Sequence, residues 1–272
     1  RARGRRFAAR IGANESVFGP SPRAVEAMAR AAAETWMYGD PEAHDLRAAL
    51  AARHGTEPAH VLPGEGIDGL LGLVVRLFLA PGEIAVTSRG AYPTFGYHVA
   101  GFGGRLETVP YTGDHEDPER LVARAREVGA KLVYLANPDN PMGTWHGSAT
   151  LERMVDAMPE GALLLLDEAY VEFAPDGTAP RIDPADPRVL RFRTFSKAHG
   201  LAGLRAGYVL GAAPVVAAFD TVRNHFGLGR IAQAGALAAL EDEAWIAHVR
   251  AEVAAGRARV EAIAAEHGLA AL

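Results

Sequence analysis

The feature that most constrains this chain is a repeated alternation of short, wholly apolar runs with longer segments of helical period. Val61-Leu62, Ile84 to Thr87, Leu106 to Val109, Leu132 to Leu135, Leu163 to Leu166, Val189 to Phe192 and Tyr208 to Leu210 read as strands. Between them Ile67 to Leu79, Pro118 to Val128 and Ala149 to Met158 carry helical patterns. A strand that is apolar at every residue must be covered on both faces, and strands alternating with helices pair in parallel through crossovers. The pattern therefore predicts an α/β chain: a three-layer α/β/α large domain with a mainly parallel sheet. Such sheets bind ligands at the carboxyl ends of their strands.

Ahead of this region, Ser21-Pro22 caps and starts a first helix, and a second runs from about Asp45 to His54 and stops at Gly55. Beyond residue 212 the chain turns almost entirely helical and ends in a long Ala-rich amphipathic stretch from Glu243 to His267. We divide it into an N-terminal arm and first helix (1–44), a large domain (45–242) and the start of a small C-terminal domain (243–272).

The strand-end residues carry the chemistry. Leu163 to Leu166 runs straight into Asp167-Glu168, placing a carboxylate at the rim of the ligand crevice. It suits a cofactor anchor, a magnesium ligand of a nucleotide hydrolase, or a salt-bridged loop residue. The hydrolase needs a G-x-x-x-x-G-K-[ST] phosphate loop, and neither lysine of the chain stands in one. The anchor needs an amine further along, and Thr194-Phe195-Ser196-Lys197 stands at the end of the next strand.

Lysine is otherwise nearly absent. Of 28 basic residues only Lys131 and Lys197 are lysines; the rest are arginines, which stay protonated and cannot act as amines. Thr194 and Ser196 add hydroxyls, and Arg205 follows the turn Gly200-Leu201-Ala202-Gly203, a set suited to a phosphate dianion. A second cradle is Pro63 to Asp68, where a strand passes through glycines into a helix whose first amides, those of Ile67 and Asp68, can face an anion.

Composition removes other classes of partner. The net charge of −5 offers no basic field for nucleic acid or an acidic membrane. The Arg-rich start, Arg1 to Arg10, has no apolar run behind it and reads as a solvated arm; Leu70 to Ala80 is too short for a membrane span and reads as a core helix. The absence of cysteine suits a reducing compartment, so a cytoplasmic location is expected. The ten histidines show no metal-ligand spacing, so no metal is expected; His199, two residues after Lys197, is a lesser pocket candidate.

Asn137-Pro138-Asp139-Asn140-Pro141-Met142-Gly143, then Asp167-Glu168-Ala169-Tyr170, then Ser196-Lys197 through Arg205-Ala206-Gly207-Tyr208 resemble, in this order, the signature series of fold-type-I aminotransferases. Asn14 to Pro22 and Tyr38-Gly39-Asp40-Pro41 are similar to the opening of the histidinol-phosphate aminotransferase branch. The resemblance spans roughly residues 11 to 242. It implies pyridoxal 5′-phosphate as cofactor, with Lys197 forming a Schiff base, Asp167 holding the ring nitrogen, and Asn140 and Tyr170 holding the phenolic oxygen. It further implies phosphate binding by Gly66, Ile67, Asp68, Thr194, Ser196 and Arg205, with Tyr38 reaching over from a second subunit of a homodimer. Phe95 is expected on the ring face, in preference to Tyr92.

The implied reaction is ping-pong transfer of an amino group between an amino acid or amino-phosphate and a 2-oxo acid. Rivals are decarboxylation of an amino-acid phosphate on the same fold, or a non-catalytic cofactor-binding module. Two departures bear on substrate. The family continues into a small domain whose arginine grips the substrate anion, so a continuation past Leu272 is expected; and Asn224 to Arg230 replaces a proline-containing segment that borders the substrate.

Overall fold

The computed structural model describes residues 12–271; the arm Arg1 to Arg10 lies outside the described residues. Seven strands form one sheet: β1 (Val61–Gly64), β2 (Ile84–Ser88), β3 (Arg105–Val109), β4 (Leu132–Ala136), β5 (Leu163–Asp167), β6 (Val189–Thr194) and β7 (Gly207–Leu210). Their order is β1-β7-β6-β5-β4-β2-β3. β2 through β6 pair in parallel, whereas β7 runs antiparallel to both its neighbours. The exception has a local cause. Residues 195–206 fold as a loop with one 3₁₀ turn and no crossover helix, so the chain turns back beside β6 with Gly207 opposite Thr194.

The four consecutive leucines show why the apolar runs have no period. Leu163 and Leu165 enter a cluster with α3 (Gly66–Phe78) and α4 (Thr94–Gly101), while Leu164 and Leu166 enter the opposite cluster with α5 (Pro118–Val128) and α6 (Ser148–Asp156). A third cluster lies under α1 (Pro22–Ala32), α2 (His44–His54) and α8 (Arg230–Glu241), after the short α7 (Ala213–Ala218). The caps are as the sequence predicts. Ser21 Oγ accepts from Ala24 N at 3.1 Å, and Gly55 ends α2 in the left-handed region at φ 62°.

α4 was not expected. Its sequence, with an internal glycine and aromatic and β-branched residues, has weak helix propensity. Phe95 and Val99, four residues apart, are fully buried against α3 and supply what propensity does not. Gly72 permits the approach, since a Cβ there would sit 2.9 Å from the His98 ring.

The C-terminal helix α9 (Glu243–Glu266) forms where expected but is not amphipathic towards this core. Val249 is its one buried residue, and Val260 and Ile263 are 62 % and 56 % exposed, because its alanines and arginines follow no 3.6-residue apolar stripe. No described helix is long and apolar enough to cross a membrane.

Candidate active site

The carboxyl ends of β4, β5 and β6 converge with the start of α3 on a cavity of about 330 Å³. Asp167, the last residue of β5, forms part of its floor and is only 5 % exposed. It accepts from Tyr134 Oη at 2.8 Å and from Ala169 N at 2.9 Å. Burial nevertheless dominates and pushes the carboxyl up to about 6. An anion held there against its hydration is a receptor for a cation.

Lys197 follows β6 and lines the same cavity. Its Nζ donates to Asn14 O at 3.3 Å and lies 5.3 Å from the centre of the Tyr170 ring. Tyr170 Oη accepts from Asn14 Nδ2 at 3.0 Å, so the segment before α1 closes over the lysine. Lys131 stands exposed just ahead of β4, at the amino ends of the strands.

The anion cradle is built from two turns. Arg205 adopts a left-handed conformation at φ 53°, and its Nη1 donates to Ala202 O at 3.0 Å and reaches Ser196 Oγ at 3.4 Å. Gly66 begins α3 at φ +78°, a conformation that favours glycine, and a Cβ there would lie 2.6 Å from Arg205 Nη2 and push the guanidinium aside. Ile67 and Asp68 line the cavity in the first turn of α3, whose amides have no partner within the helix. The Asp68 carboxylate is turned to His98 Nε2 at 3.0 Å. Thr194 lines the cavity while its Oγ1 accepts from Ser196 N at 3.0 Å, fixing the strand end.

Of the residues singled out in the sequence, Ile67, Asp68, Asn140, Asp167, Tyr170, Thr194, Ser196, Lys197 and Arg205 line this one cavity, with Gly66 behind Arg205. Phe95 does not, which corrects the expectation for the ring face. It is fully buried and stacks on Tyr134 with centroids 5.0 Å apart, as a first-turn residue facing α3 must. Tyr92, in the loop before α4, lines the cavity instead and is 42 % exposed. Tyr38 is absent from it as well; the residue is 78 % exposed, and its ring packs on Phe226 at 4.7 Å. His199 is half-buried against Phe195 and does not line the site. Sequence reasoning missed Tyr134, whose one signal was a hydroxyl inside an otherwise apolar strand.

A buried carboxylate for a protonated ring nitrogen, a lysine amine beside it and an anion cradle form a donor set that fits pyridoxal phosphate. The cavity is of a size for such a ring with its phosphate. Fold and site together are those of a fold-type-I pyridoxal-phosphate enzyme.

Comparison with known proteins agrees. Residues 9–268 match the family aminotransferase class I and II. The chain is 41 % identical over 254 residues to a histidinol-phosphate aminotransferase of an Anaeromyxobacter species, covering 90 % of this chain and 68 % of the relative. It is 37 % identical over 257 residues to histidinol-phosphate aminotransferase 2 of Pseudomonas aeruginosa, covering 93 % and 69 %. A crystal structure of histidinol-phosphate aminotransferase from Sinorhizobium meliloti with pyridoxal 5′-phosphate superimposes with a TM-score of 0.95 at 54 % identity, covering 98 % of this chain and 73 % of that one. The chain belongs to the class I and II aminotransferases and is a pyridoxal-phosphate-dependent enzyme.

Proposed function

We propose that this enzyme transfers the amino group of histidinol phosphate, or of an amino-phosphate of the same build, to a 2-oxo acid such as 2-oxoglutarate, by a ping-pong route. The observation that carries the reading is the convergence of Lys197, Asp167, Ser196 and Arg205 on one cavity in a chain 54 % identical to an aminotransferase of that name. Bound pyridoxal phosphate supplies a carbonyl that amines condense with and a ring that accepts electron density.

The chain's own residues would do the rest. Arg205, Ser196, Thr194 and the first amides of α3 hold the phosphate end, with Gly66 leaving room for the guanidinium. Asp167 keeps a proton on the ring nitrogen, and Tyr134 keeps Asp167 oriented. Asn140 and Tyr170 hold the phenolic edge, and Tyr92 covers the ring face. Lys197 Nζ, free as an amine once substrate is bound, would take the proton from the substrate carbon and deliver it to the former carbonyl carbon of the cofactor. Asn14 and Tyr170 confine it meanwhile.

The proposal extends to a cytoplasmic homodimer in which Tyr38 reaches the phosphate of the second subunit, a role its exposed ring leaves it free to take. Sedimentation with and without dilution tests this: a monomer that keeps full cofactor occupancy rules the shared site out.

The catalytic reading is tested by mixing the cofactor-loaded enzyme with histidinol phosphate, histidine, aspartate and phenylalanine in turn and following the cofactor absorbance. Histidinol phosphate is expected to convert it fastest. Borohydride reduction and peptide mapping are expected to label Lys197; label on Lys131 refutes the assignment.

A further inference from the structure

The loop that carries Asn140 is laced to the segment between β3 and α5. Thr144 Oγ1 donates to Asp114 O at 2.8 Å, and His146 Nε2 lies 2.7 Å from Glu116 O. Tyr111 Oη donates to Asp139 Oδ2 at 2.9 Å, and Met142 N approaches the same oxygen at 3.3 Å. At the centre are two buried carboxyl groups, Glu116 at 2 % and Asp139 at 5 % exposure. Glu116 Oε1 accepts from Ala136 N, the last amide of β4, at 2.9 Å. Each group has one oxygen left over. Glu116 Oε2 and Asp139 Oδ1 are buried without a hydrogen-bond partner, and the Glu116 side chain is close enough to act on Asp139 as a hydrogen-bonding group.

Two acceptor-only groups cannot satisfy each other as anions, and buried like charges this close repel. One proton between them gives both spare oxygens a partner. We propose that Glu116 is a positioning residue: it holds a proton that it donates to Asp139, and this shared proton fixes the 137–142 loop so that Asn140 faces the cofactor.

Glu116 is the proton's owner on electrostatic grounds. Burial pushes its carboxyl up to about 8, and Asp139 and Asp167 push the same way. Burial raises the Asp139 carboxyl as well, but donors from Tyr111, Met142 and Asn140 oppose that rise and favour its charged form. The other titratable groups around the pair are Tyr134 on β4, His146 on the far side of the loop, and His115 and Asp117 beside Glu116. The hydroxyl of Ser88, at the end of β2, and the Ala136 amide pull the Glu116 carboxyl the other way, and burial outweighs them. Glu116 is no catalytic residue. It acts through Asp139 and Asn140, and in this respect the inference rests on the function proposed above.

Infrared spectroscopy of the holoenzyme tests it directly. At pH 7 a protonated carboxyl stretch is expected in the native protein, lost in Glu116→Gln and titrating away near pH 8. Gln keeps both contacts, accepting from Ala136 N and donating to Asp139. E116Q should therefore bind the cofactor as the native protein does, and without the weakening above about pH 8 that deprotonation causes. Glu116→Leu leaves a donor and an acceptor buried and unpaired, and should weaken cofactor binding about tenfold to a hundredfold.

No protonated-carboxyl band in the native protein, or a band unchanged in E116Q, overturns the shared proton. If E116L does not fold, the native protein and E116Q decide. A band as expected with cofactor affinity indifferent to pH and to both substitutions overturns the positioning role. Failure of every amino donor to react, with these results intact, would overturn the catalytic reading alone.

Discussion

Asp167→Asn should make the cofactor-free protein more stable and the cofactor-loaded protein weaker, two effects of opposite sign from one substitution. Asn is isosteric and keeps both local contacts, accepting from Ala169 N and donating to Tyr134 Oη, so the strand end is undisturbed. In the native protein burial raises the carboxyl from 3.8 to about 6. A carboxyl whose folded value is raised contributes stability that is whole below the unfolded value and lost as pH rises through the folded one. Here the window runs from about 3.8 to about 6. At about 1.4 kcal/mol per unit, the cofactor-free protein above that window carries a penalty of about 3 kcal/mol. Asn has no proton to lose, so at about pH 8 the variant should melt roughly 5–10 °C higher. The difference should vanish below about pH 4. With cofactor the order reverses, because a hydrogen bond between charged groups, worth about 1.5–3 kcal/mol, is gone. Calorimetry of stripped protein against pH, beside a cofactor titration, reads both. A variant no more stable at high pH, or one that binds cofactor as tightly as the native protein, refutes the argument.

Tyr92→Ala and Phe95→Ala should separate cleanly. The first should leave melting nearly unchanged and weaken cofactor binding by about 0.5–1.5 kcal/mol, while the second should cost about 3–5 kcal/mol of stability through a core cavity, as melting and cofactor titration will show. Acid should unfold the protein through His54 and His199, whose half-buried rings are depressed from 6.5 to about 4, first by desolvation and, for His54, next by Arg193. For a depressed base the stability is whole above the unfolded value and lost as pH falls through the folded one, so each ring should cost about 2 kcal/mol by about pH 5. Urea midpoints at pH 7 and 5 measure the drop, and His54→Gln should reduce it by about half.

Much of the site was legible because its chemistry sits where strands end. An all-apolar run terminating in Asp167, and one of only two lysines in an arginine-rich chain, mark the site without any packing information. Tyr134 and Glu116 were invisible for the complementary reason. A hydroxyl in a strand or an acid in a loop acquires meaning from what lies across the sheet or the next loop, and neither neighbour is near in sequence.

The choice between Tyr92 and Phe95 shows the same division. Both are aromatic, three residues apart, and nothing local distinguishes them; the helix α4, formed by burial against α3 and not by propensity, turns one into the core and leaves the other at the cavity. The sequence by itself determined the seven strands, the helix caps and the strand-end residues, since these follow from hydrophobic period, backbone conformation and side-chain chemistry, all local quantities. Only the tertiary structure decided the reversal of β7, the existence of α4, the exposure of α9 and the charge state of Asp167 and Glu116. Each of these depends on burial, and burial is set by segments distant in the chain that come together only on folding.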